Sequence, residues 1–130
     1  MSGASQVDAA FDWKRRANAP APGTPLGPLE AIPDAGAKEY VFGQGLSAFR
    51  MFVIRRGVDV FAYLNLCPHY SLPLNHRPDE FLSRDRGRIM CRRHVALFRI
   101  EDGCCVEGAC EGRYLDRIPV RVEAGGLVLG

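Results

Sequence analysis

Two short motifs hold most of the residues able to do chemistry. Cys67-Pro68-His69 is a C-x-H pair, and Cys91-Arg92-Arg93-His94 is a C-x-x-H pair. Twenty-one residues separate His69 from Cys91. Thiolate and imidazole together suit Zn²⁺ or an iron–sulfur cluster with mixed ligation. Zinc fingers usually pair like with like, two cysteines and then two histidines. Here each motif supplies one of each. Such a set can give both cysteines to one iron and both histidines to the other in a two-iron cluster. Zinc in the same four residues, or no metal at all, stays open as the alternative. The third histidine, His76, lies outside both motifs and reads as an exposed loop residue.

Ligands in loops need stiff supports. Residues 58–64 precede the first pair, residues 88–90 precede the second, and both read as strands. In the former, Val58, Val60, Ala62 and Leu64 share one face by the period of two. Residues 49–55 and 58–64 flank Gly57 as the arms of a hairpin. Residues 39–42 and 81–82 are further strand candidates. Ile118, Val120 and Val122 alternate with Pro119, Arg121 and Glu123, and Ala124-Gly125-Gly126 then turns into Leu127-Val128-Leu129. No segment in 36–130 has a 3.6-residue period. Short strands between glycine and proline turns predict an all-β fold, a small antiparallel sandwich or barrel.

At 130 residues the chain has room for one domain. Lys and Arg number 17 against 15 Asp and Glu. That balance suggests neither a nucleic-acid partner nor a membrane. Residues 1–10 lack the basic and apolar regions of an export signal. The run Met51-Phe52-Val53-Ile54 is far short of the ~18 apolar residues that cross a bilayer. A cytoplasmic protein is expected. Five cysteines, an odd count, then favour metal or redox chemistry over a disulfide framework. Pro20, Pro22, Pro25, Pro28 and Pro33 crowd the start of the chain, so residues 1–35 read as an extended Pro/Ala-rich tail and 36–130 as the folded domain. Trp13, the only Trp, either docks a partner or belongs to a tail that packs on its own domain or on nothing.

The two motifs resemble the ligand boxes of the Rieske [2Fe–2S] family. Phe98 matches the aromatic that often follows the second box. Gly103, Gly108, Gly112 and Leu115 resemble the downstream stretch, where a Gly-Pro loop covers the cluster, and Ile118-Pro119-Val120-Arg121-Val122 resembles the closing strand. The resemblance runs over about residues 33–129. It implies an antiparallel β-sandwich or barrel with a small inserted cluster-binding subdomain, and one [2Fe–2S] cluster on Cys67, His69, Cys91 and His94. Three departures stand out. Val95 replaces the small residue usual after the second histidine, Gly108-Ala109-Cys110 replaces Gly-Pro, and the gap between the boxes is longer than in many ferredoxin-type members.

The resemblance also implies a redox class. Two ferric ions, two sulfides and two thiolates make a neutral oxidised core, whereas four thiolates would leave it negative. An electron enters a neutral core more readily, in line with ~−150 to +300 mV for Rieske centres against ~−400 mV for plant-type ferredoxins. High-potential members add a disulfide between the ligand loops and a serine beside the second box. Leu72, Arg93 and Ala96 stand at those positions here, so the chain looks like the soluble, low-potential ferredoxin type. No second, substrate-activating metal site fits after His94. The expected role is an electron carrier, not an enzyme, serving an oxygenase or reductase partner.

Residues 65–94 hold Arg77, Arg84, Arg86, Arg88, Arg92 and Arg93 against Asp79, Glu80 and Asp85. This excess would steer an acidic partner; a solvated charged surface is the plainer alternative. Cys104, Cys105 and Cys110 have no place in the boxes. A Cys105–Cys110 bond beside the cover loop and free thiols in a reducing cytosol are the two alternatives.

Overall fold

The segment Phe49–Arg56 carries apolar side chains on both faces of an extended chain, which suits a strand covered on both sides. In the computed structural model, which describes residues 12–68, 72–92, 95–108 and 110–130, it is the middle strand of a three-stranded sheet. The strands in chain order are β1 (Pro25–Pro28), β2 (Gly36–Phe42), β3 (Phe49–Arg56), β4 (Asp59–Leu64), β5 (Ile89–Cys91), β6 (Ala96–Phe98), β7 (Cys105–Glu107), β8 (Val120–Glu123) and β9 (Gly126–Leu129). Helix among the described residues is confined to short 3₁₀ turns at Asp12–Arg15, Leu29–Ala31 and Gly45–Ser47. Three antiparallel three-stranded sheets result, in the orders β2-β3-β4, β1-β9-β8 and β5-β6-β7.

The expected hairpin about Gly57 is present. Arg56 pairs with Asp59, and Gly57 takes a φ of 65° in the two-residue turn, a conformation that costs glycine little. Val58 sits at the tip and is exposed, so it leaves the apolar face expected of it. Val60, Ala62 and Leu64 do share a face, but Phe61 and Tyr63 on the other side are also covered.

Two cores follow. Phe49, Met51 and Val53 of β3 pack with Ile32, Leu127 and Leu129 under the terminal sheet. Phe52 and Ile54 point the opposite way, toward Leu74, Phe81, Ile89 and Phe98 of the ligand-loop subdomain. Phe52 stacks on Phe81 with ring centroids 4.2 Å apart and planes 10° off parallel. Tyr63 carries its hydroxyl into this second core and donates to the carbonyl of Ile100 at 2.6 Å, so the buried polar atom is satisfied. The segment before β8 ties the terminal sheet to β4: Leu64 N–H donates to Asp116 O at 2.8 Å and Ile118 N–H to Ala62 O at 3.0 Å. Ile118 therefore pairs with β4 rather than with β9, and the closing strand begins after Pro119.

The expected boundary at residue 36 moves toward the N-terminus. Pro25–Pro28 is a strand paired with β9, and Trp13 is fully buried against Phe49 at a ring-centroid distance of 6.1 Å. The prolines suggested a linker because proline cannot donate to a sheet. An edge strand needs donors on one side only, and β1 is an edge with a register shift between Pro25 and Gly27. Burying an indole contributes on the order of 3 kcal/mol, enough to hold a proline-stiffened segment whose unfolded entropy is already low. Trp13 thus packs on its own domain. Strands β6 and β7, three residues each, lie where the sequence reading places no strand.

Candidate metal centre

Both ligand boxes leave the sheets where backbone pairing ends. The loop that carries the first begins at Asn65, the residue after β4. Asn65 is fully buried, and its side chain organises the loop. Its Oδ1 accepts from Leu74 N–H at 2.8 Å, and its Nδ2 donates to Asn75 Oδ1 and to Glu39 Oε2, each at 2.8 Å. Asn75 Nδ2 donates in turn to Arg77 O at 2.9 Å and to Glu39 Oε1 at 3.3 Å. Arg50 lies 3.5 Å from the same carboxylate. The two ends of the loop are thereby fixed to β2. Inside it, Cys67 N–H donates to Leu72 O at 2.7 Å.

The second box begins at Cys91, the last residue of β5, in the β5–β6 hairpin. Cys91 pairs with Ala96, and Val95 N–H donates to Cys91 O at 2.8 Å. Arg92 links the two boxes: its N–H donates to Leu74 O at 2.7 Å, and its Nη2 to Leu82 O at 2.9 Å. Cys67 and Cys91 are both buried and belong to one apolar cluster. Of the four candidate ligands these two fall among the described residues; His69 and His94 lie outside them, as does Arg93. Among the described residues no group of three or more His, Cys, Asp and Glu forms a metal cage. The donor set that is described fits a soft, thiolate-bound metal: two cysteine sulfurs on loops welded to each other, shielded from water. His76 is exposed, as expected.

A third segment backs the boxes. Arg113 Nη1 donates to Pro68 O at 3.4 Å, and the β7 hairpin closes through Cys105 N–H to Arg113 O at 2.7 Å. Gly108 has a φ of 111°, and a Cβ there would meet Ala96 Cα at 2.9 Å, so only glycine lets this segment lie against the second box. Cys110 is buried, and its thiol donates to the Cys105 sulfur at 3.2 Å. Burial first, then the sulfurs of Cys105 and Cys67, push its thiol up to about 12, so it stays an S–H donor near neutrality. Sequence reasoning missed Asn65, Asn75 and Glu39, and it did not place Cys110 in the buried cluster with Cys67.

Val95 shows why a small residue is usual at its position. Its φ is 58°, a left-handed conformation that a β-branched side chain resists by about 1–2 kcal/mol. Its side chain is 63% exposed, so packing offsets little of this. Val95→Gly should raise stability by about 1 kcal/mol, the strain relieved less the extra freedom of glycine in the unfolded chain. The urea midpoint reads this directly. A midpoint unchanged or lowered would mean that the valine makes a contact worth more than the strain.

The family model of the Rieske [2Fe–2S] domain matches residues 28–121. The chain belongs to this family, and its cofactor is a [2Fe–2S] cluster. Among solved structures, the ferredoxin of carbazole 1,9a-dioxygenase from Nocardioides aromaticivorans IC177 is 18% identical, with a TM-score of 0.66 over 85% of this chain and 98% of that one. The Sphingomonas yanoikuyae B1 ferredoxin is 22% identical, with a TM-score of 0.60 over 82% and 96%. A chain in the complex of reduced oxygenase and oxidized ferredoxin in carbazole 1,9a-dioxygenase is 18% identical, with a TM-score of 0.64 over 82% and 91%. At these identities the likeness establishes the fold, an all-β Rieske ferredoxin architecture. A search of curated proteins finds no match. No helix among the described residues is long and apolar enough to cross a membrane.

Proposed function

We propose that Cys67, His69, Cys91 and His94 hold the [2Fe–2S] cluster, and that the chain is an electron carrier passing single electrons to or from an oxygenase or reductase. The observation that carries this reading is the junction of the two boxes. Arg92 N–H on Leu74 O joins the loops, and it leaves both cysteines buried in one cluster. When bound, the cluster takes up and releases one electron at a time. The chain's own residues fix the loops and keep the two cysteine sulfurs from water. The complex of oxygenase and ferredoxin among the similar structures supports an oxygenase as the partner class. Arg77, Arg84, Arg86 and Arg88 are exposed around the longer inter-box hairpin and suit an acidic partner surface. In this reading the chain has no catalytic domain of its own and works in the cytoplasm.

The test is the isolated protein from iron-replete cells. Iron and acid-labile sulfide in equal amounts, visible absorption and a reduced-state EPR signal are expected, with no turnover of an aromatic substrate by the chain alone. Electron delivery to an added Rieske oxygenase should slow as salt rises, since exposed charges are screened. Stoichiometric zinc without sulfide would replace the cluster by the zinc reading. Substrate oxidation by the pure chain would make it an enzyme.

A further inference from the structure

A cleft lies beside the first ligand loop, and the proposed ligand set makes no use of it. The turn at Gly45–Ser47 lines one side and residues 72–78 line the other. Its volume is about 760 Å³, inside the roughly 300–1,000 Å³ typical of clefts that hold a ligand. Leu46 on the first side is fully exposed, and Leu72 on the second is 45% exposed. Single exposed leucines are ordinary, but two that line one cleft leave apolar surface for a partner to cover.

The cleft is also cationic. Arg16, Arg50 and Arg77 line it and are exposed. Among the described residues that line it, Glu39 is the one carboxylate; its side chain is only 9% exposed and already accepts from Asn65 and Asn75. The first side is held in place before any partner arrives. Trp13 is buried against Phe49, Arg16 N–H donates to Trp13 O at 3.2 Å, and Asn18 Nδ2 donates to Ser47 O at 2.9 Å. The N-terminal segment thus brings Arg16 to the cleft, and little backbone ordering is left to offset on binding.

We propose that this cleft seats an extended acidic segment of the redox partner, with an apolar side chain on Leu46 and Leu72 and carboxylates on Arg16, Arg50 and Arg77. That the segment belongs to the redox partner rests on the electron-carrier reading above; its acidic and apolar chemistry does not. A concave site takes a protruding chain rather than a flat surface, and a guanidinium can hold a carboxylate through two parallel hydrogen bonds. The position has a consequence for electron transfer. Leu72 O accepts Cys67 N–H at 2.7 Å, so a segment held against Leu72 sits one hydrogen bond from the first ligand box. Arg84, Arg86 and Arg88 on the inter-box hairpin do not line the cleft, so the two cationic surfaces can be tested apart.

The probe is a fluorescein-labelled peptide, Asp-Glu-Phe-Leu-Glu-Asp, titrated into the iron-loaded protein and followed by fluorescence anisotropy. Asn-Gln-Phe-Leu-Gln-Asn and Asp-Glu-Ser-Ser-Glu-Asp are the neutral and the non-apolar controls. Saturable binding of the first peptide is expected, stronger than that of either control and weakened by salt. Arg16→Gln and Arg77→Gln should each weaken it about threefold, as for exposed ion pairs, and Leu46→Ala about fivefold. Arg84→Gln should leave it unchanged. These side chains are exposed, so the visible spectrum and the urea midpoint should match the parent. The peptide should also slow electron delivery to an added Rieske oxygenase, and Arg16→Gln should slow it without any peptide. No saturable binding, equal binding of either control peptide, or an equal loss in Arg84→Gln would each overturn the cleft as the site of an acidic segment. Binding that leaves electron delivery unchanged would overturn the assignment to the redox partner. Zinc in place of iron with peptide binding retained would overturn the electron-carrier reading and leave the cleft standing.

Discussion

Cys91→Ser should give a folded protein with almost no acid-labile sulfide and no visible absorption, and Cys67→Ser should do the same. Both cysteines are at most 1% exposed and lie in the cluster that joins the two boxes. A serine hydroxyl remains protonated where a thiol bound to metal does not, so the substituted loop loses a charged ligand outright. Changes one shell further out already cost roughly 10–100-fold in metal affinity, and a lost ligand should cost more. The fold itself should survive, because a serine here removes little volume while the Phe52–Phe81 stack and the three sheets are untouched. Cys104→Ser is the control: Cys104 is half-buried and away from the boxes, so iron and sulfide content should match the parent. Full sulfide content in Cys91→Ser, or its loss in Cys104→Ser, would show that the ligand set has been misassigned.

What was legible in the sequence follows from how many residue types each position tolerates. A metal ligand admits few, so the proposed ligands Cys67, His69, Cys91 and His94 stand out by type and order alone. The Gly57 hairpin was visible because a two-residue turn demands an unusual φ and apolar strands flank it on both sides. The first strand was not, because proline reads as a breaker until a neighbour supplies the one hydrogen-bonded side an edge strand requires. The Glu39–Asn65–Asn75 network was invisible for another reason. Asparagine after a strand looks like any solvated turn residue, and only the packed fold shows that Asn65 has no access to water. Cys110 joins Cys67 in one buried cluster across a separation in sequence that no local pattern encodes. Val95 was noticed as a departure from the family pattern, but its φ of 58° was needed to say what the departure costs.

Asn65→Ala should lower stability by about 3 kcal/mol and shorten the lifetime of the bound cluster more than that loss alone accounts for. The substitution strands Leu74 N–H and removes a donor from the Glu39 carboxylate, and a buried group left unsatisfied costs about 1–3 kcal/mol. Arg50, 3.5 Å from Glu39 and 44% exposed, compensates only in part. The consequence for the site lies in what Asn65 holds. Leu74 O receives Arg92 N–H, so a loop end freed at Leu74 also loosens the joint to the second box. Leu127→Ala provides the comparison, since Leu127 is equally buried but lies in the other core, under the terminal sheet, and a buried leucine typically costs about 2–5 kcal/mol. Urea denaturation measures both losses, and the decay of visible absorption under a chelator measures cluster release. Asn65→Asp adds a check of sign. A carboxylate facing Glu39 has its folded pKa raised above the unfolded value, so the stability it retains at low pH should be lost as pH rises through that raised pKa. The deficit should therefore be larger near pH 8 than near pH 5. Equal cluster lifetimes in Asn65→Ala and Leu127→Ala at matched stability would mean that Asn65 supports the fold without positioning the first ligand loop.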